Sequence, residues 1–193
     1  MKTSVNPLDV VEQFIEEKSE LFCEVSDYIW NHPETRFEEY KSMEKLCDVL
    51  EQEGFEVEKG VGGIETAFVG TFGNGGPVIG ILGEYDALAS LSQMGSKTTK
   101  EPITPGANGH GCGHNLLGTA SLAAAFAIKD YLEKNNVSGT VKYFGCPGEE
   151  GGSGKTYMVR EGVFEGVDVA LTWHPGYENE IMSYRTLANY QVY

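Results

Sequence analysis

The chain has 193 residues, of which 40% are hydrophobic and 22% charged, and its formal net charge is −15 at pH 7. This length and composition predict one globular domain and exclude a disordered or a membrane-spanning protein. An acidic surface repels nucleic acid and anionic lipid, so neither is expected as a partner. The first residues lack the apolar segment of a signal peptide, which predicts a cytoplasmic location.

Two amphipathic helices are predicted in about the first 50 residues, because apolar residues recur there at helical spacing. The first helix has Val10, Phe14, Leu21, Val25 and Ile29 on one stripe, and the second has Met43, Leu46, Val49 and Leu50. The proline-containing segment 31–40 separates them, and His32 within it is expected to be structural or peripheral. Cys23 and Cys47 fall in these helical patterns and are expected to be buried. No C-x-x-C motif is present, so no disulfide is expected.

Three strands are predicted next, at residues 55–59, 66–72 and 77–85. The alternation of polar and apolar residues in the first is typical of an edge strand. The sequence GNGG between the second and the third predicts a hairpin that pairs them. The third is almost wholly apolar as far as Glu84, which is typical of a buried central strand.

A long loop from Leu88 to Gly113 follows, and loops of this length inside compact domains are usually functional. We then expect a helix at 115–136, a strand at 139–147, a short helix at 153–162 and a buried strand at 167–175, with an extended tail at 183–193. Strands that alternate with helices predict an α/β fold with a mixed, largely parallel sheet flanked by helices.

Polar side chains cluster just after three of the predicted strands and just before the long helix. They are Glu84, Asp86, Cys112, His114, Glu149, Glu150 and His174. Ligand sites in open α/β sheets lie beyond the carboxyl ends of the strands, so we expect these groups to converge. Thiolate, imidazole and carboxylate together are ligands for Zn²⁺ or a similar metal.

Cys112 and His114 stand two residues apart across a glycine, so in an extended segment both side chains point the same way. The start of the following helix is expected to lower the pKa of the Cys112 thiol and favour the thiolate. Glu149 and Glu150 diverge because they are adjacent, which lets one bind a metal while the other acts as a general base.

Simpler interpretations of the same residues stay open. The cysteine and histidine can belong to a glycine-rich turn, and the paired glutamates to a solvated loop. Cys112 can also be a nucleophile with His114 or His174 as its base, but that hypothesis leaves the glutamates unexplained. The GGSGK sequence does not match a phosphate-binding loop, because Glu149 stands where that motif needs its first glycine.

The motifs GHGCGHNLLG, GCPGEEGGSGK and TWHP, in this order, resemble the M20 family of metallopeptidases and amidohydrolases. The resemblance extends over nearly the whole chain and is strongest to the Cys-Gly-His subgroup and its para-aminobenzoyl-glutamate hydrolase branch. It implies an amidohydrolase with two divalent ions, Zn²⁺ or Mn²⁺, with Co²⁺ or Ni²⁺ as alternatives. The positions that match metal ligands are Cys112, His114, Glu150 and His174, and Glu149 matches the general base.

The same resemblance implies supporting roles for His110, Asn115 and Asp86, and it places Glu84 where relatives carry active-site carboxylates. Two divalent ions outweigh the charges of one thiolate and one carboxylate. A substrate with a free carboxylate, such as an N-acyl amino acid or a dipeptide-like amide, is therefore expected.

Members of the family are longer, because they insert a lid domain and then return to the catalytic domain with a last metal-binding histidine. Residues 1–193 are therefore expected to be the N-terminal part of the catalytic domain, without the lid and the return. The full-length form is expected to be a homodimer or a hetero-oligomer that assembles through the lid. The alternative is a non-catalytic domain with at most a structural metal.

Overall fold

The computed structural model describes residues 7–178. The helices are α1 (Pro7–Glu17), α2 (Ser19–Asn31), α3 (Tyr40–Gln52), α4 (His114–Asn135), α5 (Glu149–Gly152) and α6 (Gly154–Arg160). The strands are β1 (Glu56–Lys59), β2 (Phe68–Asn74), β3 (Val78–Gly83), β4 (Gly139–Gly145) and β5 (Val169–Leu171). Between residues 7 and 178, no helix has both the length and the apolar character needed to cross a bilayer.

The first predicted helix is in fact two helices, α1 and α2. The backbone leaves helical geometry at Lys18, where φ is −110° and ψ is 10°. Phe14 before the break and Phe22 and Val25 after it still belong to one core. The apolar period continues through the break, and this is why the spacing alone predicts a single helix.

The five strands form one mixed sheet in the order β1-β2-β4-β3-β5. β2 pairs antiparallel with β1 and β4, whereas β3 pairs parallel with β4 and β5. The predicted α/β class is confirmed, as are the edge position of β1 and the interior position of β3. The carboxyl ends of β3, β4 and β5 consequently meet at one edge of the sheet.

The predicted hairpin between β2 and β3 is wrong, because β4 lies between them. Tyr143 and Phe144 of β4 are both completely buried, and they belong to different core clusters. A strand that is buried on both faces is best placed inside a sheet. The GNGG turn therefore spans the start of β4, and Thr140 of β4 donates its N–H to the carbonyl of Pro77 at 2.9 Å.

Helices cover both faces of the sheet. On one face, α2, α3 and α4 contribute Val25, Leu46 and Phe126 to the larger core. On the other face, Met158 of α6 packs in a smaller cluster with Phe144. The four cysteines are free, as expected; Cys47 is buried as predicted, but Cys23 is exposed, because it does not lie on the core side of α2.

The strand that precedes His174 is more open than predicted. β5 has three residues, and it pairs with β3 from Val169 opposite Ile79 to Leu171 opposite Ile81. Val169 is 48% and Leu171 52% exposed, so the prediction of a buried strand is wrong within the part of the chain that the structure describes. Apolar composition predicts burial only where other elements cover the strand. The predicted extended tail, 183–193, lies outside the described residues.

The predicted long loop is confirmed as an irregular segment, held near its ends by a bridge between Leu88 and Gly109. It leads to Gly113, whose φ of +76° is a left-handed conformation that glycine adopts without strain. Helix α4 begins at the next residue, His114. The turn at Gly113 thus places His114 at the edge of the sheet where β3 ends.

Candidate metal centre

Four loops meet at the carboxyl edge of the parallel strands. The first follows β3, the second follows β4 and the third follows β5, while the fourth enters α4. Their polar side chains converge, as predicted, and include every candidate ligand as well as Glu84 and Asp86.

His114 is the buried centre of this group, with no solvent exposure. Its Nδ1–H donates to a carboxylate oxygen of Asp86 at 2.9 Å and to the carbonyl of Asp86 at 3.1 Å. Burial opposes protonation of the imidazole, but the hydrogen bond and the charges of Asp86 and Glu84 outweigh it and raise the pKa of His114. Because Nδ1 faces two acceptors, the lone pair of the neutral imidazole is on Nε2, which is free to bind a metal.

Glu84 faces His114 from the other side. Its Oε2 lies 3.1 Å from His114 Nε2, yet within the described residues neither buried atom makes a hydrogen bond. Its Oε1 forms an ion pair with Lys155 Nζ at 2.5 Å. Burial lowers the pKa of Lys155, but the adjacent Glu84 carboxylate outweighs it, so the pKa is raised. Lys155 therefore stays charged and holds one oxygen of Glu84, while the other remains directed at His114.

Cys112 and His174 form the second pair. Cys112 Sγ lies 3.2 Å from His174 Nε2, and His174 Nδ1 lies 3.0 Å from the carbonyl of Pro175. The Pro175 carbonyl can only accept, so Nδ1 carries the proton and Nε2 turns its lone pair to the sulfur. The ring of His174 stands edge-on to that of His114, with centroids 5.7 Å apart.

The expected lowering of the Cys112 pKa is wrong. Burial and a hydrogen bond to the Glu150 carboxylate raise the pKa of the thiol to about 12. The negative charges of Glu150 and Glu149 disfavour a second anion, and they outweigh any effect of the helix start. Without a cation in the site, Cys112 is therefore a protonated thiol.

The two adjacent glutamates diverge, as the sequence predicts. Glu149 Oε2 lies 3.9 Å from His114 Nε2 and the side chain is 42% exposed. Burial, followed by the charge of Glu84, raises the pKa of Glu149. Glu150 instead lies beside Cys112, and its backbone N–H donates to Asp86 Oδ2 at 2.8 Å. The turn that separates them begins at Gly148, where φ is +65°.

The side chains fit divalent metal ions. Two groups, Cys112–His114–His174 and Glu84–His114–Glu149, each bring three ligand atoms within 4.8 Å of one another. The buried Nε2 of His114 and Oε2 of Glu84 face each other without a hydrogen bond in the described structure. A cation between such atoms satisfies both, and four carboxylates in one site favour positive charge.

Two of the supporting residues expected from the sequence lie elsewhere. His110 Nε2 donates to the carbonyl of Ile29 in α2 at 3.0 Å, and burial lowers the pKa of His110 to about 4. Asn115 donates to Ser26 Oγ, also in α2. Both residues connect α4 and its entry loop to α2. His32 contacts Tyr28, as expected of a structural residue.

The structure gives Glu84, Asp86 and Lys155 a larger part than the sequence suggests. Glu84 and Asp86 are two residues apart directly after a buried strand, and that spacing is the signal that marks them. No sequence pattern around Lys155 predicts its ion pair with Glu84. A fourth residue, Glu39, accepts the N–H of Gly148 beside the paired glutamates, although it lies in the segment that the sequence indicates only as a break.

Comparison with known proteins adds independent evidence. Residues 80–186 match the model of peptidase family M20/M25/M40. The chain is 56% identical over 182 residues to a subunit of the p-aminobenzoyl-glutamate hydrolase of Escherichia coli, a match that covers 94% of this chain and 38% of that protein. It is 32% identical over 177 residues to the Xaa-Arg dipeptidase of Mus musculus, covering 86% of this chain and 37% of the relative. The chain thus spans well under half of these relatives.

A solved structure shares the fold. The crystal structure of a dinuclear metal-binding peptidase of the M20 family from Bacillus subtilis matches with a TM-score of 0.64 and 23% sequence identity. The match covers 79% of this chain and 42% of that one. At this identity the likeness shows that the architecture is shared, and the chemistry rests on the residues themselves.

Proposed function

Because the chain belongs to peptidase family M20/M25/M40, we propose that it supplies part of the catalytic domain of a metal-dependent amidohydrolase. One observation carries the proposal: His114 Nε2 and Glu84 Oε2 are buried, face each other at 3.1 Å and share no hydrogen bond. They lie beside a thiol and a second imidazole. This arrangement supports a cation site rather than a solvated glycine turn.

We assign Cys112, His114, Glu150 and His174 as the ligands of two divalent ions, Zn²⁺ or Mn²⁺, with Co²⁺ and Ni²⁺ as alternatives. Such ions supply Lewis acidity, which polarises an amide carbonyl and lowers the pKa of water. Asp86 orients His114 through Nδ1 and holds the backbone of Glu150, so it aligns two of the ligands.

We assign Glu149 as the general base. It is the half-exposed carboxylate of the cluster, so a substrate can reach it, and burial and the charge of Glu84 raise its pKa. A raised pKa makes this carboxylate a stronger base towards water than an ordinary glutamate, and its protonated form can then deliver the proton to the leaving amine. Glu150 is turned towards Cys112 and is not available for this step.

The substrate class is proposed from charge and from the relative in Escherichia coli. That relative belongs to a p-aminobenzoyl-glutamate hydrolase, and an amide of that type carries a free carboxylate. A site with two divalent ions attracts such an anion in spite of the chain's net charge of −15. N-acyl amino acids and dipeptide-like amides are the proposed substrates. Because the relative is one subunit of its enzyme, the proposal includes assembly as a hetero-oligomer. A cytoplasmic location is part of the same proposal.

A cysteine nucleophile is the second candidate, because Cys112 Sγ lies 3.2 Å from His174 Nε2. Two features oppose it. The pKa of Cys112 is raised to about 12, which disfavours the thiolate, and Glu149 and Glu150 have no part in that chemistry.

The test replaces Glu149 by glutamine in the full-length protein and measures hydrolysis of para-aminobenzoyl-glutamate and a panel of N-acyl amino acids. We expect kcat to fall by roughly 10² to 10⁴, the usual contribution of a general base, while the bound metal is retained. Glu58→Gln, on the exposed edge strand β1, is the matched control. Undiminished activity of Glu149→Gln would contradict the mechanism.

The same assay distinguishes the metal mechanism from the cysteine nucleophile when it is repeated after chelation and after alkylation. A metal enzyme loses activity on chelation and regains it when Zn²⁺ or Mn²⁺ is added back. A cysteine nucleophile loses activity irreversibly on alkylation of Cys112 and is indifferent to the chelator.

A further inference from the structure

We propose that Glu39 is a positioning residue for the general base: it fixes the backbone at Gly148 and thereby places Glu149. The inference rests on the proposed function, since it takes Glu149 as the base. It gives a role to the segment between α2 and α3, residues 32–39, which is distant in sequence from every candidate ligand.

The carboxylate of Glu39 is completely buried and uses both oxygens. Oε1 accepts the backbone N–H of Gly148 at 2.8 Å, directly before Glu149. Oε2 accepts the hydroxyl of Thr66 at 2.9 Å. Thr66 is held in turn, because its carbonyl accepts the hydroxyl of the buried Tyr85 at 2.6 Å. Thr66 and Tyr85 therefore hold in place the Glu39 carboxylate that binds Gly148.

Phe37 packs against the same loop. A β-carbon on Gly148 would lie 2.7 Å from the Phe37 ring, and one on Gly152 would lie 2.8 Å from it. The two glycines flank Glu149 and Glu150, so the ring fills the space beneath the turn that carries both carboxylates. Contact with Phe37 and the hydrogen bond to Glu39 restrict this turn from two directions.

The same segment also contacts the other site loops. The carbonyl of Glu34 accepts the N–H of Ala87, next to Asp86, at 2.8 Å. The carbonyl of Pro33 accepts the side-chain amide of Asn108, four residues before Cys112, at 3.2 Å. Residues 32–39 thus contact three of the four loops of the site. Glu39 is the residue of this segment that contacts the loop of Glu149.

These contacts predict that Glu39 affects the rate of the chemical step. Its carboxylate is completely buried and, among residues 7–178, its hydrogen bonds lead to Gly148 and Thr66, so we place it outside the reacting groups. A displaced general base slows the chemical step while substrate binding and metal content persist. A shift of about 1 Å in a catalytic group can cost on the order of 100-fold in rate.

The experiment compares Glu39→Asp, Glu39→Ala and Glu39→Gln in the full-length protein, with exposed Glu38→Ala as the matched control. Aspartate keeps the charge but is too short to reach both Gly148 and Thr66. We expect kcat of Glu39→Asp and Glu39→Ala to fall about 100-fold, with KM and bound metal little changed. Glu39→Gln should restore most of kcat, because its amide oxygen accepts from Gly148 and its NH₂ donates to Thr66.

A second readout is independent of activity. Hydrogen exchange at the Gly148 amide should accelerate in Glu39→Asp and stay slow in Glu39→Gln. If Glu39→Ala does not fold, the comparison of Glu39→Asp with Glu39→Gln still tests the positioning role.

Unchanged kcat and unchanged exchange in Glu39→Asp, with Glu149→Gln inactive, would overturn the positioning role and leave the proposed function intact. Activity that survives in Glu149→Gln would instead remove the proposed function. A loss of metal that parallels the loss of kcat in Glu39→Asp would also overturn the proposal, because it would show a general structural role.

Discussion

The candidate centre has two sides that differ in how the fold holds them. The buried side consists of His114, Glu84, Asp86 and Lys155, and the open side consists of Cys112 and His174. On the buried side His114 has no solvent exposure and is contacted from two directions. On the open side His174 is exposed, and its ring nitrogens lie against Cys112 and the carbonyl of its own neighbour Pro175.

The difference follows from the elements that carry the two sides. His114 opens a helix of 22 residues that packs on β3 and β4. His174 follows β5, a strand of three exposed residues at the edge of the described sheet. Metal sites bind tightly when their ligands are already ordered. The buried side is therefore ordered by folding, whereas His174 on the open side depends on one short strand pairing and on the hydrogen bond from Trp173 Nε1 to the carbonyl of Leu117.

The sharpest test of this contrast compares His114→Ala with His174→Ala in metal-free protein. Removing His114 leaves the buried carboxylates of Asp86 and Glu84 without the imidazole that both contact. Loss of one partner from a buried charged pair costs about 3–5 kcal/mol. His174→Ala removes an exposed side chain, and such changes usually stay within about 0.5 kcal/mol. Denaturant unfolding of both variants measures the difference.

Equal losses of stability would break the comparison, because they would show that the open side is as firmly built as the buried one. Both variants should still weaken metal binding. Stability measured without metal therefore separates the two sides, and metal affinity alone does not.

Glu39, the buried residue that anchors the loop of the paired glutamates, gives the stability of the fold a pH dependence. Burial raises the pKa of Glu39 to about 7, against the partial opposition of its hydrogen bonds. The folded protein thus binds a proton more tightly than the unfolded chain, and stability falls as pH rises from about 4.5 through 7. Glu39→Gln keeps a neutral group in place and should be more stable than wild type above pH 7, by up to about 3 kcal/mol.

The measurement is the difference in unfolding free energy between wild type and Glu39→Gln from pH 4 to 8. The difference should be small at pH 4 and grow through pH 7. Glu38→Gln, at the exposed neighbouring position, should not reproduce the rise. If the difference in unfolding free energy did not change with pH, burial would not disfavour the charged form of Glu39, and the predicted pH dependence would be wrong.

The sequence predicts those features of the fold and of the candidate site that depend on residues near one another in the chain. The α/β class, helix α4 and the pairs Cys112–His114 and Glu149–Glu150 follow from spacing and periodicity, which are local properties. The insertion of β4 between β2 and β3 does not, because the turn chemistry of GNGG suits a hairpin equally well.

Contacts between distant segments are beyond the reach of such patterns. Glu39 reaches Gly148 and Lys155 reaches Glu84, and neither residue has a local pattern that marks its partner. The raised pKa of Cys112 has a related origin: it comes from burial and from Glu150, which lies far along the chain. The exposed position of β5 depends on what covers the strand, and composition alone does not supply that.

The smallest expected effect concerns the anchor of the open side. Asp168 Oδ2 accepts the N–H of Val78 at 2.8 Å, and the N–H of Asp168 donates to the carbonyl of Val78 at 2.9 Å. These two bonds fix the start of β5 against β3. Asp168→Ala keeps the backbone bond and loses the exposed side-chain bond, which should cost about 0.5–1 kcal/mol.

That small loss should fall on one side of the centre only. Hydrogen exchange at Val169, Ala170 and Leu171 should accelerate in Asp168→Ala, while the amides at the start of α4 keep their protection. Asp168→Asn retains an acceptor oxygen and is the matched control. If protection falls equally in α4 and β5, the two sides form one cooperative unit, and the contrast between them holds for exposure but not for stability.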